Sequence, residues 1–195
     1  MSGPPTRRSS AAVERAILDA TLVELADSGY LGLALDRVAK RAGTGRAPLY
    51  RRWSGKRDLV ADAIAQALPA VAGPPRTGKL REDLLAYLTQ MHRLVDGPAM
   101  TSVQVVIAEL HDPSAGPLIA LVRERVLEPR LQVILDILLA GAARGEIRAE
   151  AATPILAKTG PALLLQHLLM YGRPAPPAVI EEIVDRVILP AASPR

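Results

Sequence analysis

Apolar residues recur along most of this chain at helical spacing. Val13, Ile17 and Thr21, with Leu18, Leu22 and Leu25, predict an amphipathic helix over 10–28 that "DSGYLG" ends with glycine. Two short helices follow, at 35–42 (LDRVAKRA) and 46–53 (RAPLYRRW), with Gly-Thr-Gly between them. Over 56–68, Leu59/Val60, Ala63/Ile64 and Ala67/Leu68 make a stripe on one helix face. The stretch PAVAGPPRTGK is a linker by its Pro and Gly content. Beyond it the pattern predicts helices at 79–95, 99–111, about 115–144, 153–171 and 177–189, with Pro129 kinking or dividing the long one. No strand-like alternation persists, so the fold class is all-α.

The 195 residues suffice for one moderate domain or two small ones with a sizeable core. Hydrophobic residues are 49%, which excludes a disordered chain, while 3% aromatics and no Phe leave a core of Leu, Val, Ile and Ala. The absence of Cys excludes disulfides and thiolate metal sites and suits a reducing cytoplasm. The uncharged run 159–172 is too short and too polar to span a bilayer, and residues 1–17 lack the apolar core of a secretory signal. A cytoplasmic protein with no membrane partner is expected.

Charge sharpens the picture by where it lies. Residues 1–58 hold 11 Lys/Arg against 6 Asp/Glu, residues 59–195 hold 13 against 14, and 37–57 holds eight basic residues and no acidic one. A local basic excess argues for a binding face for a polyanion. It coincides with two short helices joined by a Gly-containing turn, the parts of a helix-turn-helix. Ala39 lets the helices cross closely, Gly43 suits a left-handed helix end, and Val38, Ala42, Leu49 and Trp53 supply buried faces. Pro48 falls in the first turn of the second helix, where its missing N–H costs nothing. Arg46, Ala47, Tyr50 and Arg51 remain on the outer face, which suits entry into a major groove.

Val38-Ala39, Ala42-Gly43, Leu49-Tyr50, Trp53, Lys56, Leu59 and Val60 resemble the DNA-binding signature of the TetR family of transcriptional regulators. The resemblance covers about residues 11–68; beyond it only the layout is similar, including "ARGEIR" before the last two helices. It implies a tail at 1–9, a helix-turn-helix three-helix domain at 10–55, a connecting helix and linker at 56–72, and a C-terminal helical ligand-binding and dimerisation domain at 79–190. It also implies that Tyr50 and Lys56 contact phosphates and that Arg46 and Arg52 face DNA. Arg46 is the candidate for bidentate guanine readout. Thr44, Gly45, Ala47, Pro48 and Arg51 complete the expected DNA-binding set, while Arg57 reads as a solvated charge and Arg7 and Arg8 as part of a free tail. Two positions depart from the family pattern. Ala34 stands where a capping Thr is usual, leaving Asp36 to act through the helix dipole, and Thr44-Gly45 replaces a frequent Val-Ser.

Other motifs lack their parts. "GPPRTGKL" (73–80) has the glycines and lysine of a phosphate loop, but Leu80 replaces the Mg²⁺-binding hydroxyl residue and two prolines remove N–H donors. His92, His111 and His167 fall at no metal-ligand spacing, and no Ser has a partnered His and Asp. No catalytic residue, metal or cofactor is expected. The expected function is a homodimeric regulator, a repressor binding a palindromic double-stranded DNA operator under control of an apolar small-molecule effector. The alternative is a DNA-binding protein of the same fold with no effector. Candidate effector-pocket residues are Met91, Val95, Met100, Val103, Gln104, Ile107, His111 and Val122, an apolar set with adaptable methionines. Residues 155–169 are apolar on nearly every side, so a dimer contact is expected from Leu156, Leu164, Leu165 and Leu168 with Ile180, Ile183, Val184 and Val187.

Overall fold

The computed structural model describes residues 9–93, 104, 105, 108 and 112–193, and every regular element among them is helical. The helix expected over 99–111 lies outside the described residues, apart from helical residues 104, 105 and 108, as does the tail with Arg7 and Arg8. The chain divides into two units, Met1–Leu68 with Pro98–Arg125, and Pro69–Gly97 with Val126–Arg195.

In the first unit, α1 (Ser10–Gly32) starts at Ser9, whose side chain accepts the Ala12 N–H at 3.2 Å. Its regular turns end at Gly29, which adopts φ 68°, and Tyr30–Gly32 form a separate turn. Of the two glycines in "DSGYLG", Gly29 is the one that stops the regular helix. Helices α2 (Leu35–Arg41), α3 (Arg46–Arg52) and α4 (Lys56–Ala67) follow. Helix α1 packs on α2 and α4, α2 packs on α3, and α6 (Gly116–Val122) packs on α4, so this unit draws a helix from beyond the linker. Its core is Ile17, Leu25, Val38, Leu49, Leu59 and Ile64.

The second unit contains α5 (Leu80–Arg93), α7 (Glu128–Ala143), α8 (Pro154–Tyr171), α9 (Pro177–Glu182) and α10 (Leu189–Ala192). Leu84, Leu88, Ile134, Ile137, Leu138 and Val184 fill its core. Two prolines shape these helices in the same way. Arg123–Leu127 and Ile183–Ile188 are π-helical, and Pro129 and Pro190 stand in the first turns of the α-helices that follow. Proline offers no N–H to the carbonyl four residues back and its ring pushes that carbonyl away, so the chain widens before each one. Pro129 therefore divides the long segment, as its position predicts.

"ARGEIR" is a clasp within the second unit. Gly145 takes φ 78° and turns the chain, so that Arg144 meets Glu146 at 2.6 Å. Glu146 Oε2 accepts the Leu80 N–H at 2.8 Å and caps α5. Arg148 donates to the carbonyls of Ser193 and Ala191 at 2.9 and 2.8 Å, holding the end of α10. The phosphate-loop lookalike is committed to the same end of α5: Asp83, buried, accepts both the N–H and the hydroxyl of Thr77 at 2.8 Å. Two of that loop's backbone donors, the N–H groups of Thr77 and Leu80, already hold carboxylates.

Glu146 is held below the usual carboxylate range. Burial pushes it up, but the Leu80 N–H and the Arg144 guanidinium outweigh that and favour the charged form. A lowered folded value stabilises the fold above the ordinary value of 4.5, and this contribution is lost as pH falls through the folded value. In urea unfolding, Glu146→Gln should be less stable than wild type at neutral pH, and the gap should close below about pH 4. A gap that persists undiminished in acid would contradict this role for the carboxylate.

Candidate nucleic-acid interface

Helix α2 begins at Ala34 without a side-chain cap, and Asp36 is the acidic residue of its first turn. It ends where Gly43 turns left-handed at φ 64°, with Thr44 N–H bonded to Ala39 O at 3.0 Å. Helix α3 then starts at Gly45, again with no side-chain cap. Val38, Ala39, Ala42, Leu49 and Trp53 are all buried, as the spacing predicts. Trp53 Nε1 donates to Asp62 at 2.9 Å, and Arg125 pairs with the other oxygen of that carboxylate. The C-terminal end of α3 is thereby fixed to α4. Gly45, Arg46, Ala47, Tyr50 and Arg51 are exposed, with Tyr50 at 59%, while Thr44 and Pro48 are half-buried at the rim.

The basic residues divide into free cations and struts. Arg52 donates from Nε to Glu14 at 3.1 Å and from Nη2 to the Ser10 hydroxyl, tying the end of α3 to the start of α1. Lys56 Nζ donates to the carbonyls of Tyr30 and Leu31 at 3.0 and 3.1 Å and sits 4.7 Å from the Tyr30 ring centre. Arg37 pairs with buried Glu24, which Arg41 also approaches at 3.6 Å while bonding Asp27 at 2.7 Å. Arg46 pairs with Asp36, and Arg57 with Asp58 at 3.4 Å. Of the eight basic residues in 37–57, Lys40 and Arg51 are exposed and meet no acidic or carbonyl partner among the described residues. The sequence window misses the partners because every carboxylate but that of Asp36 comes from α1 or α4, and it does not single out Lys40. The Asp58 carboxyl at the start of α4 is held below its ordinary value, first by the Ser54 hydroxyl and then by Arg57, against burial.

The expected effector lining is only partly in view. Met91 lines a cavity of ≈ 20 Å³ with Pro69, Ala70, Val71, Ala72, Tyr87, Gln90 and Arg130. Gln104 is exposed, and Val122 is buried in α6 of the first unit. Val95, Met100, Val103, Ile107 and His111 lie outside the described residues.

The residues expected at a dimer contact divide by burial. Leu164, Leu168, Ile180, Ile183 and Val184 are buried in the core of their own chain and have almost no surface left to give a partner. Leu156 is half-buried against that core, whereas Leu165 and Val187 are exposed. The inward side of α8 is Ala157, Gly160, Leu164 and Leu168, and a Cβ on Gly160 would meet Leu88 at 3.0 Å. Ile155, Leu163, Leu169, Met170 and Tyr171 point outward, with Ile155 at 75% and Met170 at 69% exposure. The small residues at 157 and 160 were the signal for the inward side.

Among the described residues no group of three or more His, Cys, Asp or Glu is placed to hold a metal ion, and no helix is long and apolar enough to cross a membrane.

Residues 17–63 match the family model "Bacterial regulatory proteins, tetR family", and residues 74–187 match "Tetracyclin repressor-like, C-terminal domain". An uncharacterized HTH-type transcriptional regulator of Mycobacterium tuberculosis, Rv1556, is 33% identical over 178 residues, 91% of this chain and 87% of the relative. The DNA-binding transcriptional repressor TetR of Mycobacteroides abscessus is 29% identical over 177 residues, 89% of this chain and 90% of the relative. Among solved structures, a TetR transcriptional regulator from Agrobacterium tumefaciens superposes with a TM-score of 0.71 at 18% identity, covering 93% of this chain and 94% of the other.

The division into struts and free cations is open to direct test. Arg52→Ala should lower the unfolding free energy by about 1 kcal/mol, because it removes bonds between α1 and α3. Arg51→Ala and Lys40→Ala should change it by less than about 0.5 kcal/mol. Urea unfolding of the three variants decides, and equal effects would contradict the assignment.

Proposed function

This chain belongs to the TetR family of transcriptional regulators, and from that premise we propose that it is a repressor that binds a palindromic double-stranded operator as a homodimer, its DNA affinity set by a small-molecule effector. The family is generally non-enzymatic. The observation that carries the proposal is the outer face of α3: Arg46, Ala47, Tyr50 and Arg51 are exposed there, Arg46 in a surface pair with Asp36, while Leu49 and Trp53 anchor the helix behind them. In a major groove, Arg46 leaves Asp36 for a guanine edge. Tyr50, Arg51, Lys40 and the first turn of α4 at Lys56 take phosphates, and Thr44, Gly45, Ala47 and Pro48 pass close to the groove wall.

One such helix reads one half-site, so a palindrome requires two copies with reading helices about 34–36 Å apart. The outward side of α8, with Leu165 and Val187, is the apolar surface we assign to that contact. An effector favouring a different spacing lowers DNA affinity only by its differential affinity for the two states, and DNA weakens effector binding by the same factor. The protein acts in the cytoplasm, where its operator lies.

With an operator selected from random sequence, Arg46→Ala should cost roughly 1–3 kcal/mol and relax base preference at one position per half-site. Arg51→Ala should weaken binding to all sequences and reduce the salt slope by about one. Wild-type binding by both variants would sink the assignment of α3. Met170→Asp with Leu169→Asp should give a folded 20.8 kDa monomer in sedimentation, with half-site affinity only. A dimer that survives both substitutions must use another face.

A further inference from the structure

Of the buried charged side chains among the described residues, Glu24 has Arg37 and Arg41, and Asp83 has Arg144 at 3.9 Å. Arg130 on α7 is different. It is 7% exposed, and no carboxylate among the described residues lies within ion-pair distance. Its partners are two backbone carbonyls, Val126 O at 2.7 Å from Nη1 and Pro69 O at 2.8 Å from Nη2. Carbonyl dipoles solvate a guanidinium but do not neutralise it, and a buried cation without a counter-charge is costly. Burial pulls Arg130 below the ordinary arginine value, with Tyr87 acting against that; an arginine side chain in a protein stays charged.

This cation lines the ≈ 20 Å³ cavity described above. That volume is about what one small polar group fills. Pro69, Ala70, Val71, Ala72 and Met91 make the apolar part of the wall, and the polar part is Arg130, the Gln90 amide and Tyr87, whose hydroxyl donates to Arg130 O at 3.2 Å. Among the described residues this site has an apolar wall and one fork of N–H donors with no carboxylate at ion-pair distance, which selects a ligand with one anionic acceptor group on a hydrocarbon body.

We propose that Arg130 is the anion-binding element of an effector site, and that the effector is an amphipathic monocarboxylate whose head group pairs with the guanidinium and whose apolar body lies along Pro69–Ala72 and Met91. The proposal rests on the effector-controlled reading and replaces its wholly apolar ligand with a charged one. It also gives the ligand a point of action. A carboxylate on the guanidinium competes with the Pro69 carbonyl for Nη2, and Pro69 directly follows Leu68, the C-cap of α4.

The test is calorimetric titration of the full chain with octanoate, its neutral isostere octanamide, and acetate. Octanoate should bind at least roughly tenfold more tightly than either. Arg130→Met should remove the preference for octanoate over octanamide, and Arg130→Lys should keep part of it. Equal affinity for octanoate and octanamide in the wild type, no octanoate binding at millimolar concentration, or unchanged preference in Arg130→Met would each overturn the proposal. So would acetate binding as tightly as octanoate. The wild-type comparison stands even if Arg130→Met does not fold. Operator binding by the same preparation without any ligand tests the regulator assignment separately.

Discussion

Glu24 is a carboxylate 2% exposed at the crossing of α1 and α2, and the geometry of the reading head depends on it. Left alone, such a charge would be untenable; Arg37 and Arg41 of α2 make it a clamp. Helix α1 repeats the device along its length. Near its start Glu14 and Ser10 hold Arg52 of α3, and past its end the carbonyls of Tyr30 and Leu31 hold Lys56 of α4. Each element after α1 in the three-helix domain and its connecting helix is thus fixed by a cation of its own reaching back to α1. Helix-turn-helix segments of seven residues each are too short to hold their shape by propensity. The frame is what makes them rigid enough to read a groove.

The same chemistry separates residues that fix the head from residues free to meet DNA. A pair such as Arg46–Asp36 has both side chains more than half exposed and contributes little to stability, so exchanging Asp36 for a base edge costs little. Arg37 cannot make that exchange, because leaving would strand Glu24 in the core. Proximity to the basic face is therefore a poor guide to which cations are free to leave their partners. Whether the partner is buried is a better one.

That distinction marks how far the sequence carries. Local geometry was legible: Gly29 and Gly43 as helix stops, Pro48 in a first turn, Leu49 and Trp53 on one side, Pro129 as a divider. Each follows from sterics within a few residues. Partners were not legible, because Arg52 finds Glu14 across 38 residues and Leu80 finds Glu146 across 66. Arg130 gave no signal at all in the sequence, where it is one arginine on a helix; its character comes from two backbone carbonyls, with no carboxylate among the described residues at ion-pair distance.

Helix α8 shows why an apolar segment leaves its own orientation open. It is apolar on nearly every side, and periodicity gives little reason to prefer one side for the core. What decides is size. Gly160, with Ala157 on the same inward side, leaves room for Leu88 of α5 to come within reach of the α8 backbone. Once that side turns inward, Leu164 and Leu168 follow it by helical spacing, and Leu169, Met170 and Tyr171 must face out. Small residues thus decide which large ones remain at the surface.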